Sequence, residues 1–296
     1  MANTRQILRR RKAARSTRKI TKTMEKVATA KLAKAQNAAV AARPYSNKLK
    51  EIIGDVAGAS GGFKHPLLES RPNPKKALVI VLTSDRGMCG AFNVNILNKA
   101  KSLIKDLNAK NIAQEYIVQG KKGIASFRYM NLPVAEKIIG ISDKPNYAKA
   151  EEIANKLILQ YGRSEIDEAY IVHSNFKPGT VNVPVIEKIL PLSSLTGDEG
   201  ASKAVAKAGP KQDYLFHPGA KEILEGILPM VVKMAIFTAM LQNTAAEHAA
   251  RRMAMKNATD SADDMIKNLT RLYNRARQGK ITQEIAEIVG GAAALD

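Results

Sequence analysis

The spacing of small and apolar residues at both ends of the chain constrains its fold more than any other sequence feature. These residues recur mostly at alternating steps of three and four, which is typical of a coiled-coil seam. In the first segment they are Leu32, Ala35, Ala39, Ala42, Tyr45, Leu49, Ile52 and Val56. In the last segment they are Ala246, Ala250, Met253, Asn257, Ser261, Met265, Leu269, Leu272, Ala276 and Gly279. Each end of the chain is therefore predicted to form a long helix.

Long helices are unstable when isolated in water, because most helix stability comes from the packing of one face. The two ends are therefore predicted to pair antiparallel, and their shared small residues favour close approach. The alternative is that each helix docks separately on another protein. Pro44 is expected to kink the first helix. In the last segment Pro218 can open a short helix, Pro229 suits the first turn of a longer one, and Gly290 with Gly291 should end it.

The middle of the chain follows a different period. Residues 77–82 form a continuous apolar run, which is typical of a strand buried on both faces. Further strands are predicted at 115–118, 168–173 and 183–192, and helices at 91–109, 121–130 and 145–161. Alternating strands and helices predict an α/β domain with a largely parallel, Rossmann-like sheet. The last two strands could form an antiparallel hairpin at one edge.

The predicted fold class is therefore α/β plus coiled coil. Four segments are predicted: an N-terminal coiled-coil helix (1–57), a linker (58–74), a central α/β domain (75–216) and a C-terminal coiled-coil helix (217–296). The linker contains Gly58, Gly61 and Gly62, which should end the first helix.

Positive charge is concentrated at the start of the chain. The formal net charge is +20 over 296 residues, and nine basic residues precede Glu25, the first acidic residue. Such a charge calls for nucleic acid, an anionic membrane surface or an acidic protein as partner, unless it is simply a solvated surface. The Arg-rich start also resembles a mitochondrial presequence, but the helical pattern continues past the length of one.

Cysteine content and hydropathy limit the class of protein further. Cys89 is the single cysteine, so no intramolecular disulfide can form, and a reducing compartment fits. No apolar run is expected to reach the roughly 18 residues that span a bilayer. The best candidate, 227–240, is interrupted by Pro229 and Lys233.

Candidate chemistry is sparse. The glycine-rich segment from Gly87 to Gly90 follows the first strand and could cradle a phosphate or simply form a tight turn. The patterns G-x-G-x-x-G and G-x-x-x-x-G-K-[ST] are absent there. No two histidines stand at metal-ligand spacing, Cys89 has no Cys or His neighbour, and Glu247 with His248 is interpreted as a solvated pair. The sequence therefore predicts no cofactor, no metal and no catalytic residue, although Cys89 alone does not exclude catalysis.

Four motifs in order resemble the gamma subunit family of F-type ATP synthases. The first is TRKITKTMEKVA at 17–28, followed by Ala30-Lys31 and Ala35-Gln36. The second is SDRGMCG at 84–90 with Asn93, and the third is EHAAR at 247–251 with MKNATD at 255–260. The fourth is YNRARQ at 273–278 with ITQEI at 281–285 and EIV at 287–289. Together they cover essentially the whole chain, which makes the resemblance specific.

The resemblance implies a rotor shaft with no catalytic residues of its own. The coiled coil would lie inside a hexamer of alpha and beta subunits, and the α/β domain outside it, near the epsilon subunit and the membrane ring of c subunits. Proton flow would turn the ring and shaft and so change nucleotide affinity at the catalytic beta subunits. The implied location is peripheral, on the cytoplasmic face of the bacterial plasma membrane. The coupling ion is selected in the membrane ring, not in this chain.

The resemblance also assigns residues to beta-subunit contact and torque transmission. They are Lys22, Met24, Glu247, Arg251, Arg277, Gln278 and Thr282. Arg277, Gln278 and Thr282 match the contact with the beta catch loop, and Lys22 and Met24 match the neck that faces acidic beta levers. The chain departs from the family at Thr23, Arg252, Gly279 and Lys280.

A basic, helical nucleic-acid-binding protein is the alternative function. It is suggested by the net charge and by the cations near the start of the chain. Aromatic residues that could stack on bases are missing from that stretch, so binding would have to rely on phosphates alone.

Overall fold

The computed structural model describes residues 4–59, 65–176, 182–192 and 219–293. Within these ranges the chain forms two long helices and, between them in sequence, alternating strands and shorter helices. The long helices are α1 (Thr4–Ala59) and α5 (Ala220–Ala293). The other elements are β1 (Lys76–Leu82), α2 (Phe92–Ala109), β2 (Ala113–Gln119), α3 (Lys121–Tyr129), β3 (Val134–Ile138), α4 (Tyr147–Gly162), β4 (Glu168–Asn175) and β5 (Val183–Leu190).

The chain divides into two compact units. One unit comprises residues 1–29 and 251–296, and we call its described part the helical pair. The other comprises residues 30–250 and contains the sheet together with the adjoining parts of α1 and α5.

The sheet has five strands in the order β3-β2-β1-β4-β5. The first four strands are mutually parallel, and β5 pairs antiparallel with β4. This confirms the predicted largely parallel α/β sheet with one antiparallel strand at its edge. Strand β3 was not predicted: its burial alternates, and Ile138 is its only buried residue. The predicted turn between β4 and β5 lies mostly outside the described residues.

The central strand β1 is buried on both faces. Leu78, Ile80 and Leu82 belong to one hydrophobic cluster, which includes α4 and the start of α5. Val79 and Val81 belong to a second cluster, which includes α2 and Phe127 of α3. Successive strand residues point to opposite faces, so two buried faces require an unbroken apolar run. This explains the sequence of residues 77–82.

Helix α5 contributes to both clusters. Leu228, Val232 and Met240 pack in the α4-side cluster. Ala245 and Ala246, little more than one turn further along, pack in the α2-side cluster. The helix therefore contributes to the packing on both faces of the sheet.

The helical pair is antiparallel, as predicted. The hydroxyls of Thr21 and Thr259 lie 2.7 Å apart and are hydrogen-bonded. Arg18, one turn earlier on α1, forms an ion pair with Asp263, one turn later on α5. Arg11 lies over the ring of Tyr273, 4.9 Å from its centroid. Residue numbers on α1 thus fall as those on α5 rise.

The predicted seam of α5 is wrong over much of the helical pair. Met253, Met265 and Leu272 are 51%, 56% and 47% exposed. The buried positions there are Arg251, Met255, Thr259 and Ala262, and on α1 they are Ile7, Ala14, Thr21 and Ala28, spaced by seven. The hydrophobic pattern misled because this seam uses threonine and alanine, while methionines and a leucine lie outside it. Leu32, Ala39, Leu49 and Ala246 are buried, as predicted.

The predicted start and end of the last helix are wrong. Pro229 lies inside α5 rather than in its first turn, and α5 continues through Gly290 and Gly291 to Ala293. Packing of Leu224 and Leu228 in the core holds the helix together around the proline. Pro44 lies inside α1, and the kink expected there stays a prediction.

Helix α5 contains a stretch that is long and apolar enough to cross a membrane, although no such stretch was expected from the sequence. Among the described residues, one helix, Glu222–Gly290, contains a window long and apolar enough to cross a membrane by length and composition. Of that window 44% is buried inside the protein. The buried core helix of a globular domain passes the same test, and α5 packs on the sheet as such a helix does.

Candidate functional site

A basic groove lies between the two helices of the helical pair. It has a volume of about 480 Å³ and is lined by Arg15, Arg18, Lys19, Lys22, Thr23, Lys26, Asp263 and Ile266. Five of these side chains are cationic and one is acidic. Like charges at such spacing repel one another, so the groove favours an acidic partner. Predicted site residue Lys22 lines this groove and is exposed, whereas Met24 is half-buried.

The C-terminal part of α5 carries the second group of predicted residues. Arg277, Gln278 and Thr282 are all exposed. The Thr282 hydroxyl donates to the carbonyl of Gln278 at 3.0 Å, one turn earlier. On the same stretch Ile281, Ile285 and Ile288 are 47%, 56% and 72% exposed. An apolar stripe of this kind is typical of a binding surface.

The remaining predicted residues are buried. Glu247 is 1% exposed and Arg251 8%. His248 is also 1% exposed, so the interpretation of Glu247 and His248 as a solvated pair is wrong. His248 Nε2 lies 3.6 Å from Asp143 Oδ1. Asp143 is distant from His248 in sequence, so the helical pattern alone did not reveal this contact.

Asp143 is a further site residue that the sequence analysis missed. Its Oδ2 accepts a hydrogen bond from Lys31 Nζ at 2.6 Å. Burial raises the pKa of Asp143, but the hydrogen bond and charge of Lys31, with His248 and Arg86, outweigh it and hold this pKa below its usual range. Asp143 is therefore ionised at neutral pH and connects α1 with α5.

Asp143, Glu247 and His248 each place one ligand atom within 4.8 Å of the others. Two carboxylates and an imidazole form a donor set that could hold a divalent cation. The Lys31 ammonium group already forms an ion pair with Asp143, one of the two carboxylates of this donor set.

The glycine-rich segment at 87–90 forms a self-contained turn. The backbone N–H of Ser84 donates to Asn93 Oδ1 at 3.0 Å, and the Ser84 hydroxyl is 2.6 Å from the carbonyl of Arg86. The amide of Asn93 donates back to Ser84 Oγ at 2.8 Å. The side chains of Ser84 and Asn93 are thus used inside the turn, which favours the tight-turn interpretation.

The crevice beside this turn, at the carboxyl ends of the strands, is occupied by α5. In open α/β sheets this is where ligands usually bind. Here Asn243 Oδ1 accepts from the backbone N–H of Ser174, near the end of β4, at 3.0 Å. Thr244 Oγ1 lies 2.8 Å from the carbonyl of Ser142, which follows β3. Asn243 and Thr244 are adjacent polar residues in an otherwise apolar part of α5. In the sequence, this pair was the available sign of a polar contact between α5 and the sheet.

Comparison with known proteins identifies the family. The family described as "ATP synthase" matches residues 3–295. The ATP synthase gamma chain of Pelotomaculum thermopropionicum is 43% identical over 296 residues, with 100% of both chains covered. The ATP synthase gamma chain of Gemmatimonas aurantiaca is 40% identical over 295 residues, covering 100% of this chain and 99% of that one.

Solved structures share the fold at low identity. A chain of the Euglena gracilis mitochondrial ATP synthase (OSCP/F1/c-ring, rotational state 3) matches with a TM-score of 0.62 and 17% identity, covering 99% of this chain and 94% of that chain. A chain of the central stalk/c-ring structure of the Tetrahymena thermophila mitochondrial ATP synthase matches with a TM-score of 0.58 and 22% identity, covering 81% and 99%. These comparisons give the nucleic-acid-binding alternative no support. With full-length relatives at about 40% identity, the chain belongs to the ATP synthase gamma chain family.

Proposed function

We propose that the chain is the central rotor shaft of an F-type ATP synthase. It couples proton flow through the membrane ring to conformational change at the catalytic beta subunits, and so to ATP synthesis. The observation that carries this proposal is the antiparallel helical pair, in which Thr21 meets Thr259 and Arg18 meets Asp263. Two paired helices resist twisting and bending better than one, as a rotating axle requires. In this proposal 1–57 and 217–296 form the axle, 58–74 a linker and 75–216 the outer domain.

The proposed partners are the alpha and beta subunits, the epsilon subunit and the c-ring, with no nucleic acid. The basic groove supports an acidic segment of the beta subunits as the partner of Lys22 and the adjacent Met24. Such contacts depend on salt, because exposed charges are screened within about 10 Å at 0.1 M ionic strength. Arg277, Gln278 and Thr282 serve as the contact with the catch loop of a beta subunit, a role supported by the exposure of all three.

Glu247 and Arg251 have a different role in this proposal. Their burial argues against a large direct contact with a beta subunit. They instead transmit torque from inside the protein, by holding α5 in its packed position.

The chain is a subunit of an enzyme and has no catalytic residues of its own. This proposal is supported by the position of α5, which fills the crevice where an α/β sheet would bind a substrate. The chain is held peripherally, through the complex, at the cytoplasmic face of a bacterial plasma membrane.

A pull-down from native membranes tests the assembly. The tagged chain should recover alpha, beta and epsilon subunits in amounts that survive washing at physiological salt. Recovery of none of them would rule out the rotor proposal.

Substitutions in the C-terminal part of α5 test the catch contact. Arg277→Ala and Gln278→Ala should each slow ATP synthesis by the assembled complex by about tenfold, because each removes a hydrogen bond to a charged or polar partner. Arg275→Ala is the matched control, since Arg275 is exposed on the same stretch and is not a predicted contact. Equal rates for all three variants and the parent chain would contradict the assigned contact.

A further inference from the structure

The loop between β3 and α4, residues 139–146, contacts three other parts of the 30–250 unit. We call it the junction loop. The Ser142 hydroxyl donates to Asp85 Oδ2 at 3.0 Å, next to the end of β1. The carboxylate of Asp85 also accepts from the backbone N–H of Gly140 at 3.0 Å and of Lys121 at 3.1 Å. The junction loop is thereby fixed to the carboxyl edge of the sheet.

The same loop holds both long helices. Lys31 of α1 donates to Asp143 at 2.6 Å, and His248 of α5 lies 3.6 Å from the same carboxylate. One turn before His248, the Thr244 hydroxyl lies 2.8 Å from the Ser142 carbonyl. The single proton of the Thr244 hydroxyl is shared between this carbonyl and the Met240 carbonyl of α5, which is 2.9 Å away. Thr244 is 2% exposed, so water cannot replace the contact readily.

A second fixed point lies on β4. Asn243 is 1% exposed, and its Oδ1 accepts the backbone N–H of Ser174 at 3.0 Å. Strand β4 pairs with β1, whereas the junction loop follows β3 at the far side of the sheet. Adjacent residues of α5 are therefore hydrogen-bonded to the end of β4 and to the junction loop that follows β3.

Apolar packing holds α5 on the sheet, but the hydrophobic effect is non-directional. Apolar contacts therefore specify the rotation of the helix less sharply than hydrogen bonds do. Hydrogen bonds weaken steeply with distance and angle, so two of them at separated points oppose rotation of the helix about its axis.

We propose that Asn243 and Thr244, with the junction loop and its Lys31–Asp143–His248 contacts, form the torque-bearing junction between the α/β domain and the long helices. This inference rests on the proposed rotor function and assigns torque transfer within the chain to positioning residues. Load that enters at the α/β domain reaches α5 through these contacts. When they loosen, the domain and the helices turn by different amounts, and coupling falls although assembly is retained.

Coupling in the reconstituted complex tests the junction. Thr244→Val keeps the shape of the side chain and removes the hydroxyl, and Thr244→Ser restores it. The ratio of proton pumping to ATP hydrolysis in vesicles should fall about fivefold for Thr244→Val, the change expected for the loss of one buried hydrogen bond. The ratio should recover in Thr244→Ser. The control is Thr270→Val, because the Thr270 hydroxyl bonds only to Ile266 of its own helix in the described structure. An unchanged ratio in Thr244→Val would overturn the proposal.

Hydrogen exchange of the purified full chain tests the second contact without reference to coupling. The amide of Ser174 should exchange at least about tenfold faster in Asn243→Leu than in the parent chain, while the β1 amides keep their protection. Unchanged protection of Ser174 would overturn its part in the junction. A parent chain that fails to assemble or pump refutes the proposed function itself. If the parent chain pumps normally and the Thr244→Val variant is unaffected, only the proposed junction is refuted.

Discussion

Replacing His173 by glutamine should remove a specific loss of stability at mildly acidic pH. His173 lies in β4 and is completely buried. Neither ring nitrogen makes a hydrogen bond within the described residues, and the nearest carboxylate oxygen, on half-exposed Glu187, is 3.5 Å away. Burial lowers the pKa of His173 from 6.5 to about 4. A neutral imidazole is therefore built into the core of the sheet.

The sign and size of the effect follow from this difference in pKa. The unfolded chain binds a proton at His173 below pH 6.5, and the folded chain does so only near pH 4. The contribution of the neutral His173 to folding stability is thus fully present above pH 6.5, and it is lost as the pH falls from 6.5 to 4. From pH 7.5 to 5 the loss is about 2 kcal/mol, at 1.36 kcal/mol for each pH unit of unequal protonation.

Urea unfolding at a series of pH values measures this loss. Tyrosine near-ultraviolet circular dichroism reports on the chain, which has eight tyrosines and no tryptophan. The His173→Gln variant should show a flatter dependence of unfolding free energy on pH between 7.5 and 5. His65→Gln is the comparison variant. Burial also lowers the pKa of His65, but His65 is partly exposed and the charges of Glu225 and Glu69 oppose the shift, so this substitution should flatten the slope less. Equal pH slopes for the parent chain and His173→Gln would refute the reasoning.

Three further substitutions are expected to change the stability of the chain, and thermal unfolding measures each. Arg71→Ala should destabilise the chain by about 2 kcal/mol, because the Arg71 guanidinium donates hydrogen bonds to the Ile166 carbonyl and to the Asp167 carboxylate. An unchanged melting temperature would contradict this prediction. Gly120→Ala should cost about 3 kcal/mol, because Gly120 has φ +95° and an added Cβ would overlap the Thr83 carbonyl; a folded variant of normal stability would contradict the geometry. Gly279→Ala should stabilise by about 0.5–1 kcal/mol, because an added Cβ meets open space in an exposed helix, and a lower melting temperature would contradict it.

The central sheet was largely predictable because its strands are buried on both faces. An unbroken apolar run such as 77–82 has few other interpretations, and β4 follows the same pattern. Strand β3 was not predictable, because half-exposed residues and the charges of Glu136 and Lys137 remove the apolar signal. Strand β3 is held in the sheet by pairing with β2, the strand that precedes it across α3.

The long helices were predictable as elements but not in their detailed packing. A helix rich in alanine offers several faces of similar size, so the register depends on the partner. Thr21 and Thr259 occupy the seam because their hydroxyls bond to each other. Neither residue is apolar, so a search for apolar periodicity passes over both.

The site was predictable where it faces outward and not where it faces the sheet. The motifs located Arg277 and Gln278 on a helix, and both are exposed there. The same motifs located Glu247, but Glu247 is buried and lies beside Asp143, which is far away in sequence. A linear pattern carries no information about such a neighbour. The tasks assigned to the motif residues stay predictions.

Single-molecule rotation tests the central claim most directly. The complex of this chain with its alpha and beta subunits is fixed to a surface, and a bead is attached through Lys110→Cys, at the end of α2 in the α/β domain. With ATP supplied, the bead should turn continuously in one direction, and rotation should stop when hydrolysis is inhibited. Sustained ATP hydrolysis with a bead that only fluctuates about a fixed angle would contradict the account of this chain as a rotating shaft.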